Sequence, residues 1–452
     1  MNIDAPPSSP RLPNSNAISA KSEKTASPAP FLLSVVFPVA FATTVAMWGV
    51  GYVSHLDFVS APRFALFAMI ALQVCGGRAA ALRHPRPIAA AVGTGLLASV
   101  LNVLVLASIL TEILSILGFI VAGGILGLVG AVVTPKKESL VSFEPSYFFA
   151  RVAVAATFLL VVIGGIVTSN EAGLAVPDWP TSFEANMFLL PLSKMVSESD
   201  VYYEHAHRLF GALVGLTTVA LCVFLWARDP RRWVRWFAAF TVVLVVAQGA
   251  MGGLRVVAAD NEQNIENFWS LALRVSHGVS GQVFFATLAA LAAFLSPRWR
   301  RPSGERSRTV NAERKWTVIL LVAAIGQLLL GALVRHISRD WLMPHIAGAI
   351  VVGGIAVLVA VRATTFYPGS PAVRGSGLPI LFLVVTQWML GFFALAVTGG
   401  EVREKSSGAL QTVVTTLHQA TGALILAAVT VHLVSVWRHL RPGEPAVSAS
   451  ST

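Results

Sequence analysis

The sequence has few charged residues and almost no cysteine. Charged side chains make up 12% of the 452 residues and hydrophobic ones 55%, whereas a soluble domain of this size needs more charge at its surface. The two cysteines, Cys75 and Cys222, both lie within apolar runs, so we expect neither a disulfide between loops nor a zinc site. These scarcities indicate a polytopic membrane protein.

The net charge of +11 would suggest a nucleic-acid partner in a soluble protein. In a membrane protein it is explained by basic residues in cytoplasmic loops, so we expect contact with a lipid bilayer and no nucleic acid. The basic clusters lie at 228–235 (RDPRRWVR), at 297–308 (PRWRRPSGERSR), and at Arg362, Arg374, Arg438 and Arg441. They predict a multi-pass protein of the bacterial plasma (inner) membrane with both termini in the cytoplasm.

Twelve apolar stretches have about the length needed to cross a membrane. They lie near residues 31–53, 63–82, 87–110, 113–134, 148–168, 205–227, 234–255, 272–295, 316–335, 344–362, 378–397 and 415–437. We therefore predict an all-α polytopic membrane fold. Its last eight helices are expected to form two four-helix bundles related by pseudo-twofold symmetry.

These stretches divide the chain into predicted regions. Residues 1–30 are rich in Pro, Ser and Ala and contain no apolar core with a cleavage site. They predict a disordered cytoplasmic N-terminus without a cleaved signal peptide. The other predicted regions are a four-helix membrane region of unknown role (31–134), a linker (135–146), a first four-helix half (147–295), a basic cytoplasmic linker (296–315), a second four-helix half (316–440) and a disordered tail (441–452).

An internal repeat relates the two predicted halves. The matched segments are 245–253 with 384–392 (VVAQGAMGG and VVTQWMLGF), and 163–168 with 330–335 (IGGIVT and LGALVR). The first match places Gln248 on Gln387 and Gly252 on Gly391. Because each repeat contains an even number of spans, the halves should share one topology about an axis along the membrane normal. The outer loop after the second matched segment is long in the first half and short in the second.

Four histidines occupy matching places in this repeat. Each begins an apolar span at the predicted outer face, where an ionisable side chain is costly unless it has a task. They are His207, His277, His345 and His418. Two histidine pairs in a helix bundle are typical of the axial ligands of two haems. A glycine soon after each histidine would let a flat macrocycle approach the backbone, or would serve ordinary helix packing; these are Gly211, Gly281, Gly348 and Gly422.

A carboxylate and a guanidinium accompany the first of these histidines. In YYEHAHR, Glu204 and His207 lie three residues apart on one helix face, and Arg208 is four residues from Glu204. The alternative is a charged cluster at a helix start, where glutamate is favoured. The register of the other three histidines favours a functional role. Three more arginines at span ends could bind haem propionates or lipid headgroups: Arg255, Arg274 and Arg335.

The remaining polar and aromatic candidates are interpreted more simply. Trp179 in GLAVPDWP (173–180) is either an interfacial anchor or part of a cover over the substrate. Five other histidines are expected to be solvated or to reach the membrane interface: His55, His84, His336, His432 and His439.

Four segments together resemble the haem A synthase family, over about residues 148–440. They are GGIVTSNEAGLAVPDWP (164–180), Glu-x-x-His-Arg (204–208), RVSHGVSGQ (274–282) and LHQATGA (417–423). The resemblance implies eight membrane helices in two four-helix halves. It also implies an oxidoreductase that converts a ring methyl of haem O into the formyl group of haem A, for cytochrome oxidase assembly.

The resemblance also implies roles for individual residues. His207 and His277 would hold the substrate haem O, and His345 and His418 would hold a haem b. Glu204 matches the family's essential acidic residue, and Arg208 is expected beside the bound haem. Expected partners are a haem O synthase and an electron donor, and a homo-oligomer is a further possibility. Unlike some family members, this chain has no cysteine pair in an outer loop, and the spans at 31–134 lie outside the family core.

Two other functions compete with this interpretation. A di-haem b-type membrane cytochrome that passes electrons from quinol would need the same four histidines. The position of Glu204 and the unequal outer loops favour the enzyme instead. A transporter with inverted repeats would need halves of opposite topology and broken helices, whereas these repeats are parallel and most spans are unbroken.

Overall fold

The computed structural model describes residues 28–57, 59, 61–105, 112–135, 140–259, 267–401 and 404–443. Within these ranges, twelve helices are long and apolar enough to cross a membrane. The predicted all-α polytopic fold is therefore confirmed. Of the predicted terminal segments, residues 1–27 and 444–452 lie outside the described part of the chain, and so do residues 136–139 of the predicted linker.

The long helices follow one another along the chain, and residues 170–198 form a long connection between the fifth and the sixth of them. The long helices are α1 (Pro28–Ser54), α2 (Pro62–Ala81), α3 (Pro87–Val105), α4 (Ile113–Val132), α5 (Pro145–Ser169), α7 (Ser199–Arg228), α8 (Arg232–Ala258), α9 (Phe268–Leu295), α11 (Val310–His336), α12 (Leu342–Thr365), α13 (Pro371–Thr398) and α14 (Ala409–His439). The short elements are β1 (Thr181–Ser182), β2 (Ala185–Asn186), α6 (Leu192–Met195), α10 (Pro297–Arg300), β3 (Glu305–Ser307), β4 (Leu440–Pro442) and two 3-10 turns (Met187–Leu189 and Arg339–Trp341). Strands β1 and β2 form an antiparallel pair, and β3 pairs with β4 in parallel.

Helix starts show why these segments fold where they do. Proline stands at the start of α3, α5 and α13 as Pro87, Pro145 and Pro371, where its missing N–H costs nothing. Helix α7 begins at Ser199, earlier than the predicted start at 205. Its first two turns are polar yet buried in protein, so they need no apolar pattern.

The last eight long helices form two rings of neighbours. Helices α5, α7, α8 and α9 contact one another in one ring, and α11, α12, α13 and α14 do so in the other. The rings meet through α5 and α9 on one side and α11 and α14 on the other. These are matching members of the sequence repeat. The end of the rings that carries His207, His277, His345 and His418 is called the histidine end below.

Helices α1 to α4 pack beside the first ring. Helix α1 contacts α5 and α7, with ring centroids 5.1 Å apart for Phe41 and Phe149. Residues of α1 and α3 belong to the same hydrophobic core as α5 and α7. Within this region, Gly95 of α3 lies against the backbone of Gly123 in α4, and the absent side chain allows that close approach.

Four of the five histidines that were expected to be solvated or to reach the membrane interface are buried: His84, His336, His432 and His439. The expectation of solvent exposure was wrong for these four, because each lies among protein groups. His432 Nδ1 is 2.9 Å from Ser376 Oγ, and its Nε2 is 3.6 Å from a carboxylate oxygen of the buried Glu313. The sequence shows none of these contacts between helices. His55 is exposed, as predicted.

Candidate functional site

The structure brings the four predicted histidines together as two pairs. His207 of α7 faces His277 of α9, with ring centroids 6.4 Å apart and planes at 86°. His345 of α12 faces His418 of α14, with centroids 6.3 Å apart and planes at 80°. The two pairs therefore have nearly the same geometry. A metal held at about 2 Å from each ring nitrogen, the metal–imidazole distance known for zinc, fits between rings with this separation.

Each imidazole lies against a glycine of a neighbouring helix. A Cβ built on these glycines would come within 3.2 Å of His207, 3.3 Å of His277, 3.0 Å of His345 and 3.1 Å of His418. The glycines are, in the same order, Gly164, Gly252, Gly331 and Gly391. A larger residue at any of them would crowd the ring. Glycine therefore leaves the space that each imidazole occupies.

The glycines predicted from the sequence are placed differently. Gly211 has no atom within 4 Å of a built Cβ, which leaves open space beside it. Gly281, Gly348 and Gly422 instead lie beside glutamine side chains. The sequence pointed to glycines on the helix of each histidine, whereas the glycines that contact the rings lie on the adjacent helix.

Three of the four histidines have a glutamine beside them. Gln327 Nε2 donates to the carbonyl oxygen of His345 at 2.8 Å and lies 3.0 Å from its Nδ1. Gln387 Nε2 lies 3.4 Å from His418 Nε2. With its amide nitrogen turned toward the ring, Gln248 lies 3.1 Å from His277 Nδ1. Such outer contacts orient the ligands of a metal.

His207 lacks this amide contact. Gln327 stands four residues before Gly331, and the repeat places Leu160 at the corresponding position before Gly164. His207 Nδ1 is buried without a hydrogen-bond partner in the structure. From the sequence, Gln248 and Gln387 served only to align the repeat, and Gln327 was missed. Gln327 lies four residues before Gly331, the same spacing as in the Gln248–Gly252 and Gln387–Gly391 pairs, and this spacing was the signal that could have found it.

Glu204 and Arg208 form a buried ion pair one turn from His207. Arg208 Nε donates to Glu204 Oε1 at 2.9 Å, and each side chain is 8% exposed. Removing one member of a buried pair costs about 3–5 kcal/mol because it leaves the other charge uncompensated. Glu204 lies three residues before His207 on the same helix face. Because it is also buried, its carboxylate lies beside the first histidine pair and away from solvent.

Arg208 also holds the loop that covers the histidine end of the first ring. Its terminal nitrogens donate to the carbonyl oxygens of Val176 at 2.9 Å, Asp178 at 2.6 Å and Thr181 at 3.3 Å. Burial alone would raise the pKa of Asp178, but hydrogen bonds from Thr181, Glu184 and Phe183 hold that pKa below its ordinary value. The observed partners of Arg208 are protein groups, so its predicted contact with haem stays a prediction.

The arginines proposed for propionates or headgroups have protein partners in the structure. Arg274 donates to Glu171 Oε2 at 2.6 Å, and Arg335 pairs with the other oxygen of the same carboxylate. Arg255 donates to the carbonyl oxygen of Gly173 at 3.2 Å. Glu171 follows α5 and Arg335 lies in the last turn of α11, so this cluster connects the two rings at the histidine end.

The indole of Trp179 packs against α8 at Gly253, in the space that a Cβ on Gly253 would occupy. Gly253 directly follows Gly252, which contacts His277. In the second ring the repeat places the exposed Phe392 at the position of Gly253, and the long loop is replaced by the turn Arg339–Trp341. Among the described residues, the first histidine pair has this loop over it and the second does not.

Among the described residues, no group of three or more His, Cys, Asp or Glu side chains could hold a metal ion by itself. Two opposed imidazoles supply only the axial positions of a metal. The remaining ligands would have to come with the metal, as they do in haem. The glycines that leave room for each ring and the glutamines beside three of the rings also fit imidazoles that would be held as metal ligands.

Comparison with known proteins identifies relatives of most of this chain. Residues 147–450 match the family model described as cytochrome oxidase assembly protein. The heme A synthase of Caulobacter sp. is 25% identical over an alignment 356 residues long, which covers 66% of this chain and 97% of that protein. The heme A synthase of Caulobacter vibrioides is 26% identical over an alignment 233 residues long, which covers 44% of this chain and 64% of that protein. That of Listeria monocytogenes serovar 1/2a is 30% identical over 142 residues, 31% of this chain and 41% of its own.

Proposed function

The chain belongs to the cytochrome oxidase assembly protein family, and from this premise we propose that it is a haem A synthase. The proposed reaction oxidises a ring methyl of haem O to the formyl group of haem A. The relatives named heme A synthase support this proposal. The proposal requires a haem O synthase to supply the substrate. Converting the methyl to a formyl group removes four electrons and adds one oxygen atom, so an oxidant and a source of oxygen are required beside an electron donor. The reaction would take place in a bacterial plasma membrane, with both termini of the chain in the cytoplasm. A homo-oligomer is compatible with it.

The observation that carries the proposal is a difference between two otherwise matching histidine pairs. The first pair has a buried carboxylate, Glu204, and its partner Arg208. At the corresponding positions beside His345, the second half has Leu342 and Ile346. The first pair also lies beneath a long loop. The first pair therefore has a buried charged group and a loop beside it, whereas the second pair has apolar residues at the positions of Glu204 and Arg208 and a short turn in place of the loop.

We assign the substrate haem O to His207 and His277, and the resident haem b to His345 and His418. A bound haem would supply the redox chemistry of its iron. The chain itself supplies opposed imidazoles, and a glycine of a neighbouring helix leaves room for each ring. Gln327 and Gln387 orient the rings of the second pair, which suits a cofactor that stays bound.

Glu204 is the group to which we assign the proton or charge step. Its carboxylate can accept a proton from the reacting methyl, or stabilise positive charge that develops there. The charge-assisted bond to Arg208 holds the carboxylate in one orientation. Because Arg208 also binds three loop carbonyls, the loop and the carboxylate are positioned by the same side chain.

The equal geometry of the two pairs favours a second candidate, the di-haem b-type cytochrome that takes electrons from quinol. A direct test separates the two functions. The chain is expressed with a haem O synthase in a bacterium that lacks its own haem A synthase, and the extracted haems are identified by mass. Haem A or a hydroxylated intermediate is expected. Recovery of haem b alone, with haem O unconverted, would support the cytochrome. Cells with the haem O synthase alone are the control.

A further inference from the structure

The helix that carries Glu204 is longer at the histidine end than its repeat partner. Helix α7 begins at Ser199, about two turns before His207, whereas α12 begins at Leu342, about one turn before His345. The additional turn includes Tyr202 and Tyr203, which are 6% and 4% exposed. The structure shows no side-chain cap at the start of α7. Packing must therefore hold these turns, because the first N–H groups of a helix have no partner within it.

The N-terminal region provides that packing. The hydroxyl of Tyr202 donates to the carbonyl oxygen of Tyr52 at 3.0 Å, and the two rings stack with centroids 5.6 Å apart and planes at 20°. The hydroxyl of Tyr203 donates to Asp57 Oδ2 at 3.1 Å. Tyr52 lies in the last turn of α1, and Asp57 lies just after it. Two adjacent tyrosines are thus bound by two groups at one end of α1.

These tyrosines and Glu204 lie on different sides of α7. Successive residues of a helix are about 100° apart, so Tyr202 is about 200° from Glu204 around the axis. Glu204 faces Arg208 and the loop, whereas the tyrosines face α1. Any effect of the N-terminal region on the carboxylate would therefore pass through the helix. In the second half, the positions of Tyr202 and Tyr203 are taken by Asp340 and Trp341, which are exposed.

We propose that the N-terminal four-helix region, residues 31–134, is a positioning domain for the first half. Tyr52 and Asp57 hold Tyr202 and Tyr203, and so fix where Glu204 lies relative to His207. This inference rests on the proposed function. It gives a role to a region that lies before the family match at 147–450. The contacts of α1 with α5 and α7, which belong to the first ring, agree with it.

The test uses the full chain in lipid nanodiscs, with Tyr203→Phe, Asp57→Ala and the double variant, because alanine has no oxygen to accept the bond from Tyr203. Tyr147→Phe is the matched control, because Tyr147 lies in the first turn of α5 at the opposite end of the ring. Amide hydrogen exchange at residues 199–206 is measured together with haem A yield and the haem b spectrum. Loss of the bond between Tyr203 and Asp57 should raise the amide exchange rate about fivefold and lower haem A yield about fivefold, because the net free energy of one hydrogen bond corresponds to a factor of this size. The haem b spectrum should not change.

The double variant should behave like either single one, because both remove the same bond. Unchanged exchange at 199–206 would overturn the inference, and so would raised exchange with full conversion. Equal loss of haem b would also overturn it, since that indicates general destabilisation. If the wild-type protein binds haem b but makes no haem A, the proposed function itself fails. That outcome is distinguishable from failure of the inference, because it is seen in the wild-type protein and the inference is tested with the variants.

Discussion

Trp179 occupies the space that a side chain on Gly253 would need. Gly253 directly follows Gly252, which contacts His277. The loop that covers the first histidine pair therefore packs on α8 at Gly253. Replacing Gly253 tests whether this contact matters without changing a proposed ligand.

We expect Gly253→Val to displace Trp179 and loosen the loop at 170–198. Inserting atoms into a packed contact costs about 1–3 kcal/mol. Limited proteolysis of the loop should become faster and haem A yield should fall, while the haem b spectrum is retained. Gly249→Ala is the matched control, because a Cβ at Gly249 of the same helix meets nothing within 4 Å. Equal behaviour of the two variants would show that the loop does not depend on this contact.

We expect Glu204→Gln to fold and to keep haem b, because the amide preserves shape and can still accept a hydrogen bond from Arg208. It removes the charge that the proposed reaction uses. Haem A should fall by at least about tenfold, or roughly 1.4 kcal/mol in the barrier, and haem O or its hydroxylated form should accumulate. Extracted haems give the measurement. Glu198→Gln, at an exposed position just before α7, controls for loss of a nearby charge. Normal haem A in the Glu204 variant would contradict the assignment.

The two histidine pairs should respond differently to loss of a ligand. Replacing His345 or His418 by Ala should remove the low-spin haem b spectrum, because an axial ligand is lost. Replacing His207 or His277 by Ala should leave that spectrum largely intact and stop conversion. Absorbance spectra of the purified variants and extracted haems give both results. Equal loss of all haem in all four variants would argue against separate roles.

Gln327→Leu should weaken haem b binding by about tenfold or more, because groups that orient a metal's ligands contribute that much to affinity. The substitution copies into the second half the residue that the first half has at this place, Leu160. Haem titration of the apoprotein gives the affinity. Leu160→Gln is the reciprocal variant and should leave haem b binding unchanged. An unaltered affinity in Gln327→Leu would show that the amide contact is incidental.

The sequence predicted the twelve spans and the two histidine pairs because both follow from local pattern. Apolar length marks a span, and the repeat marks which histidines correspond. It misplaced the start of α7, because the polar turns at 199–204 are buried only by contact with another part of the protein. No periodicity within α7 reveals that α1 lies beside it.

Contacts between helices account for the other differences. Gly164 and Gly331 were seen only as parts of matched segments, yet they contact His207 and His345. His432 was expected near solvent, but Ser376 and Glu313 from other helices surround it. Spacing along one helix identifies residues that share a face, and it does not show which residue of a neighbour they meet.

The absence of a glutamine amide beside His207 bears on how long a porphyrin would stay bound between His207 and His277. A site that turns over must release its product, whereas a resident cofactor should remain for the life of the protein. Differences in affinity between related sites are expressed mostly in the rate of departure. Leu160 leaves one imidazole of the first pair without the contact that Gln327 gives to its counterpart. A single aliphatic side chain would thus shorten the residence time of the porphyrin in the half where exchange is needed.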